Sequence, residues 1–319
     1  MKPRLVVTRT MPAPVAARIE AAFDPVFLDI SGRFDPESLL DALDHAAAIL
    51  VTPADRIEAG LIARIPVDVK ILATFSVGTD HIDLAAARAS GLAVVNTPDV
   101  LSFATAEAAM TLILMCARRT GEGERTVRSG QWPGWTPTYM LGTSLEGKTL
   151  GILGMGRIGQ ALARMAAGFS MRVIYHNRNR LAAAQEGHAT YIADEADFLA
   201  ACDVLSIHLP GGAATRHWLN PARLAKLRPG VIVVNTGRGS TIDDDALIAA
   251  LKSGQVRAAG LDVFPAEPTI PPGYLDLEQV VLLPHLGSAT EETRAAMGML
   301  ALDGIEAILA GQDPPNRVA

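Results

Sequence analysis

The sequence predicts an α/β protein of two doubly wound, parallel-sheet domains. Three observations carry this. Short apolar runs alternate with amphipathic helical patterns through most of the 319 residues, the pattern of βα units that feed a parallel sheet. The length suits about two domains. One such unit, near the middle, carries G-x-G-x-x-G at its strand-to-helix junction, whereas the first hundred residues carry no such motif; the two halves therefore have different tasks.

In the first half the spacing predicts strands over 5–8, 26–30, 48–51, 71–75 and 93–95, with a helix over 36–46 capped by Asp35. Asn96-Thr97-Pro98 reads as a crossing point. A helix follows over 102–118, with Ser102 as its cap, Arg118 and Arg119 at its C-terminal end and Gly121 closing it. Apolar residues surround most of this helix, which implies burial on several sides, within its own domain or against another subunit. A Trp- and Pro-rich loop, 131–140, leads to the central strand, 150–153. Strands are expected again over 172–175, 204–208, 231–235, 258–262 and 280–283, with a helix over 243–252 closed by Gly254. A last helical pattern, 291–310, returns to the first domain. The expected organisation is a substrate domain of 1–98 plus 286–319 and a cofactor domain of 99–285, with an interdomain cleft.

The chain is 49% hydrophobic, 19% charged and carries a net charge of −6. No basic stripe marks it for nucleic acid, and no apolar run approaches the roughly 18 residues of a membrane span. The apolar run near the N-terminus is too short for a signal peptide. Cys116 and Cys202 lie in apolar contexts and read as buried free thiols, with neither a disulfide nor a metal site. The expectation is a cytoplasmic protein.

Gly154, Gly156 and Gly159 stand between strand and helix, where a dinucleotide fingerprint works. Gly154 permits the tight turn, Gly156 admits a pyrophosphate to the backbone, and Gly159 lets helix and strand pack closely. The N-terminus of the helix, at Arg157 and Ile158, favours the anion. NAD-preferring sites place an acidic residue on the ribose about 20 residues further on. Here no Asp or Glu occurs from Gln160 to Gln185, and the strand ends Tyr175-His176-Asn177-Arg178-Asn179-Arg180. Guanidinium groups suit a 2′-phosphate, so NADP(H) is expected over NAD(H), with NAD(H) still usable. Three further strand ends carry polar candidates: Arg238 after 231–235, Glu267 after 258–262, and His285 after 280–283. Ligands in such sheets bind at carboxyl ends of strands.

These motifs occur in order with Val77-Gly78-Thr79-Asp80-His81-Ile82-Asp83 and Ala104-Thr105-Ala106-Glu107. Over nearly its whole length the sequence resembles the D-isomer-specific 2-hydroxyacid dehydrogenases, and within them the NADP-dependent glyoxylate/hydroxypyruvate reductases. The resemblance implies a flavodoxin-like substrate domain beside a Rossmann domain. It implies reduction of a small 2-oxo acid to the D-2-hydroxy acid by hydride transfer, with His285 as general acid/base. Glu267 would hold the imidazole and stabilise its charged form, and Arg238 would bind and polarise the 2-oxo acid. Backbone N–H groups of Val77 and Gly78 would hold the carboxylate. Asp262 would contact the nicotinamide end, Thr105 and Thr215 the ribose or phosphate region. A homodimer is implied, in which Trp135, or Trp132, reaches a neighbouring site. Leu101, Met140 and Leu286 would form an apolar wall with room for larger acids. Two alternatives stand beside this reading. A 3-phosphoglycerate dehydrogenase is disfavoured by the missing acidic ribose ligand; the end of the sequence about 35 residues after His285 disfavours only the version with an added C-terminal regulatory domain, not the short ones. A non-catalytic NAD(H)-sensing corepressor-like protein would not need the Arg238, Glu267, His285 set.

Overall fold

Valine, isoleucine, leucine and alanine dominate the strands, and nearly every strand is buried, as expected where helices cover both faces of a parallel sheet. The computed structural model describes residues 2–319 and divides into two compact units, residues up to Leu101 with 289–319, and 102–288.

The first unit holds strands β1 (Arg4–Val7), β2 (Asp24–Phe27), β3 (Ala46–Val51), β4 (Ile71–Thr74) and β5 (Ala93–Val95). All pair in parallel, in the order β2-β1-β3-β4-β5. This is the flavodoxin-like order, with its topological switch between β1 and β3. The helix expected over 36–46 is shorter, Pro36–Asp41, although Asp35 caps it as expected by accepting from the N–H groups of Glu37 and Ser38. His45 takes a positive φ of 56°, and the alanines that follow belong to β3, between β1 and β4. Alanine's helical preference loses there to burial in a central strand. The helix Glu291–Leu309, capped by Thr290, closes this unit. Gly298 and Gly304 let it lie close: a Cβ on either would stand 2.3 Å from Val15 or 3.0 Å from Val95.

The second unit holds β6 (Thr149–Leu153), β7 (Arg172–His176), β8 (Thr190–Tyr191), β9 (Val204–Ile207), β10 (Val231–Asn235), β11 (Val256–Leu261) and β12 (Val280–Leu282). Their order, β12-β11-β10-β9-β6-β7-β8, is parallel throughout. It is the Rossmann order extended by one strand, with the switch between β6 and β9. The helix Ser102–Arg118 is buried along several faces within its own unit; Gly260 of β11 admits its Leu112 and Cys116. Arg119, not Gly121, ends that helix. Arg119 turns into the left-handed region at φ 54°, its guanidinium paired with Glu122, and the chain re-enters a helix over Thr120–Arg128. Cys116 and Cys202 are free and buried, and burial pushes both thiols up to about 12. No helix among the described residues is long and apolar enough to cross a membrane.

Candidate active site

Strand β6 runs straight into the glycine loop, and two of its three glycines, Gly154 and Gly159, stand where no side chain fits. Gly154 has φ 94°, and a Cβ there would lie 2.9 Å from the His208 carbonyl oxygen. A Cβ on Gly159 would lie 2.6 Å from the Gly154 carbonyl oxygen, so helix Arg157–Ala167 seats tightly on its strand. Gly156 faces open space, with no atom within 4 Å of a Cβ built there. Gly156 caps the helix, and Arg157 and Ile158 form its first turn. An open glycine at a helix N-terminus is the cradle that a pyrophosphate requires, so these residues fit a dinucleotide. The cradle is tied to the next strand end: Asn177 Oδ1 accepts from the Met155 N–H at 2.7 Å.

The two arginines beyond β7 separate. Arg178 is exposed. Arg180, expected as a phosphate ligand, pairs with Glu186, Nε to Oε1 at 2.8 Å and Nη2 to Oε2 at 3.0 Å. The acid that the sequence lacks up to Gln185 arrives at the next position, and the fold brings it back to the strand end.

Arg238, Glu267 and His285 stand at the carboxyl ends of adjacent strands β10, β11 and β12. Asn235 brackets Arg238, accepting from the Gly237 N–H at 2.9 Å and donating to the Arg238 carbonyl at 3.0 Å. The flanking glycines are obligatory: a Cβ on Gly237 would meet the Leu209 carbonyl oxygen at 2.8 Å, and one on Gly239 the Phe264 carbonyl carbon at 2.1 Å. Glu267 accepts from the Phe264 N–H at 2.9 Å, and its Oε2 lies 2.8 Å from His285 Nδ1. Burial raises the Glu267 pKa, but the hydrogen bond and charge of His285, the Phe264 N–H and the charge of Arg238 together hold the carboxyl below its ordinary range. With Nδ1 on Glu267, Nε2 is the nitrogen left for proton transfer. Asp262, 1% exposed, spends both carboxylate oxygens on this turn, accepting from the N–H groups of Leu286 at 2.6 Å and Gly287 at 2.8 Å. Its carbonyl accepts from the His285 N–H at 2.9 Å. Asp262 therefore shapes the backbone that carries the imidazole.

Thr105 lies buried in its helix beside Asp262 and Gly287. Thr215 donates to the Pro210 carbonyl at 2.7 Å within its own loop. Val77 and Gly78 follow β4 in the other unit. The Val77 carbonyl accepts from Asn96 Nδ2 at 2.8 Å and the Gly78 carbonyl from Ser76 Oγ at 2.7 Å. Asn96 is itself held by Asn316, whose Nδ2 donates to its carbonyl at 2.7 Å. Trp132 and Trp135 are 55% and 80% exposed. Sequence reasoning gave no bracing role to Asn235, Asn96, Asn316, Glu186 or His208. Asn235 is the last residue of β10 and Asn96 the first after β5, and an amide at a strand end that must brace the following loop was the available signal. Glu186 and Asn316 act over distances that only the fold defines.

A Rossmann sheet with an open glycine cradle and an Arg–Glu–His set on three neighbouring strand ends defines a dinucleotide-dependent oxidoreductase. Residues 110–287 match the family model for the D-isomer specific 2-hydroxyacid dehydrogenase NAD binding domain. The chain is 40% identical to the glyoxylate reductase of Thermococcus litoralis, over 100% of this chain and 97% of that protein. It is 38% identical to the glycerate dehydrogenase of Hyphomicrobium methylovorum, over 98% of each. Among solved structures it resembles the NADPH-dependent glyoxylate/hydroxypyruvate reductase of Sinorhizobium meliloti in complex with NADP and malonate, with TM-score 0.89, 33% identity, and coverage of 100% of this chain and 97% of that one. The chain belongs to the D-isomer-specific 2-hydroxyacid dehydrogenase family.

Proposed function

We propose that this protein reduces a small 2-oxo acid of the glyoxylate or hydroxypyruvate type to the D-2-hydroxy acid, with NADPH preferred over NADH. The observation that carries the reading is the 2.8 Å contact of His285 Nδ1 with Glu267, with the charge of Arg238 close enough to act on the same carboxylate. The nicotinamide, when bound, supplies the hydride. His285 gives its proton to the substrate's carbonyl oxygen, and Glu267 orients the imidazole and balances its charge. Arg238 binds the substrate's carboxylate and polarises its carbonyl, a task for which a planar fork of donors is suited. The N–H groups of Val77 and Gly78 hold the carboxylate of the substrate. The cradle residues Gly154, Gly156, Arg157 and Ile158 hold the pyrophosphate. Asn177 braces the ribose end, and Thr105, Thr215 and Asp262 act around the rest of the cofactor.

The reading includes a homodimer in which Trp135 reaches a neighbouring protomer's site; the exposure of so large an apolar side chain supports that. It also includes a cytoplasmic setting, to which two free thiols are suited. The test is loss of reduced-nicotinamide absorbance with glyoxylate, hydroxypyruvate, pyruvate, phenylpyruvate and 3-phosphohydroxypyruvate, each with NADPH and NADH. Rapid NADPH oxidation with one of the first four is expected. Oxidation confined to the phosphorylated acid would favour the phosphoglycerate reading. Nucleotide binding without turnover on any acid would favour a sensor.

A further inference from the structure

We propose that the two arginines after β7 do different work: Arg178 alone discriminates for a cofactor's 2′-phosphate, while Arg180 is a strut that Glu186 holds in place to shape the loop. The proposal rests on the NADP reading above and assigns its chemistry to one side chain.

The loop from Asn177 to Leu181 is stitched at both ends. At its start, Tyr191 Oη donates to the Asn177 carbonyl at 3.3 Å; at its end, the Leu181 N–H donates to Tyr175 Oη at 3.1 Å. Glu186 joins these elements. Its carboxylate accepts from Nε and Nη2 of Arg180 along one edge of the guanidinium, and from the Tyr175 hydroxyl with Oη 2.5 Å from Oε1. The Arg180 guanidinium and the Tyr175 hydroxyl hold that carboxyl far down, to about 2. The Tyr191 ring lies against Arg180, at 5.9 Å. The pairing commits one edge of the exposed Arg180 guanidinium, two of its five N–H donors, to Glu186 and sets a carboxylate beside the charge that a phosphate would seek. Releasing the guanidinium toward a phosphate would leave the Glu186 carboxylate, 10% exposed, with Tyr175 alone. Glu186 also cancels the positive charge that Arg180 would otherwise offer.

Arg178 sits between the two stitched ends, exposed and outside this cluster. Its charge is unspent, and its backbone is fixed on both sides. The loop is further linked to the glycine cradle through Asn177 and the Met155 N–H. Loosening the strut therefore disturbs the cradle that both cofactors share. Removing Arg178 instead touches only the group by which the two cofactors differ.

The experiment is equilibrium titration of the full-length protein with NADPH and with NADH, read by nicotinamide fluorescence, for wild type, R178A, R178K, R180A and R180K. R178A is expected to raise the Kd for NADPH by about tenfold or more, the value of one charge-assisted contact, and to leave the Kd for NADH within about twofold. R178K recovers part of the loss. R180A is expected to weaken both cofactors by a similar factor and to lower the melting temperature. R180K, which keeps one contact to Glu186, leaves the NADPH-to-NADH ratio unchanged even if R180A does not fold. A selective loss of NADPH binding in R180A or R180K would overturn the proposal, as would an unchanged ratio in R178A. Tighter wild-type binding of NADH would refute the NADP preference itself; the assignment of Arg178 would then still stand or fall on whether R178A weakens NADPH alone.

Discussion

His285 adopts φ 57°, a left-handed conformation that a histidine seldom takes without compensation. Asp262 supplies the compensation by gripping the three consecutive N–H groups of residues 285–287. Glu267 then fixes the ring. Arg238 is held in the same way between two glycines that admit no side chain. We expect His285→Ala and Arg238→Ala each to lose at least about two orders of magnitude in turnover, the usual range for a positioned acid or an electrostatic clamp. The Kd for NADPH, measured by fluorescence, should change less than about threefold. Near-normal turnover in both variants would remove these residues from the chemistry. At this scale the placement of the candidate set was legible in the sequence, because Arg238, Glu267 and His285 are chemically able groups placed just beyond apolar strands. The Arg180–Glu186 pair was not legible, for a physical reason. Glu186 lies one residue beyond the acid-free stretch, and a turn of chain invisible to local pattern folds it back.

The elements divide the glycines into two kinds. Gly239 is spaced by protein: a Cβ there would collide with the Phe264–Pro265 backbone, which leads directly to Glu267. Gly156 is spaced by emptiness and has an ordinary negative φ of −77°. The two predictions are opposite. Gly239→Ala should lower stability by about 1–3 kcal/mol through overpacking, seen as a fall in melting temperature, and should reduce turnover by displacing Glu267. Gly156→Ala should melt with the wild type but lose nucleotide binding, because its methyl group fills the approach to the backbone. Equal stability loss in both would mean that the empty cradle is structural. Strand positions were legible from apolar runs with turn residues between them. Short features were not. Strand β8 has two residues, too few for a period. The alanines of 46–48 suit a helix until β1 and β4 flank them, and Arg119 breaks a helix with no glycine at all.

For the whole molecule, the shifted groups determine how stability responds to acid. His208 lies beside the glycine loop, its ring nitrogens against Ser206 Oγ at 2.9 Å and Thr236 Oγ1 at 3.3 Å, and burial lowers it to about 4. Between pH 6.5 and 4 the unfolded chain protonates this ring and the folded chain does not, so stability falls as pH falls, by at most about 3 kcal/mol. Glu186, held at about 2, and Glu267, also lowered, work in a second window: their stabilisation is complete above about 4.5 and is lost below it. Burial raises Asp262 and Asp244; both bind protons more readily when folded, which offsets part of the loss above 3.8. Melting temperature should therefore begin to drop below about pH 6.5, before any carboxylate with a lowered pKa is reached. His208→Gln keeps a neutral group that can hydrogen-bond to Ser206 and Thr236. It should flatten the drop between pH 6.5 and 5 while preserving the steeper fall below 4.5. An unchanged slope above pH 5 in that variant would show that His208 is not the group responsible, and a flattened slope would tie the acid sensitivity of the fold to the ring packed against its nucleotide cradle.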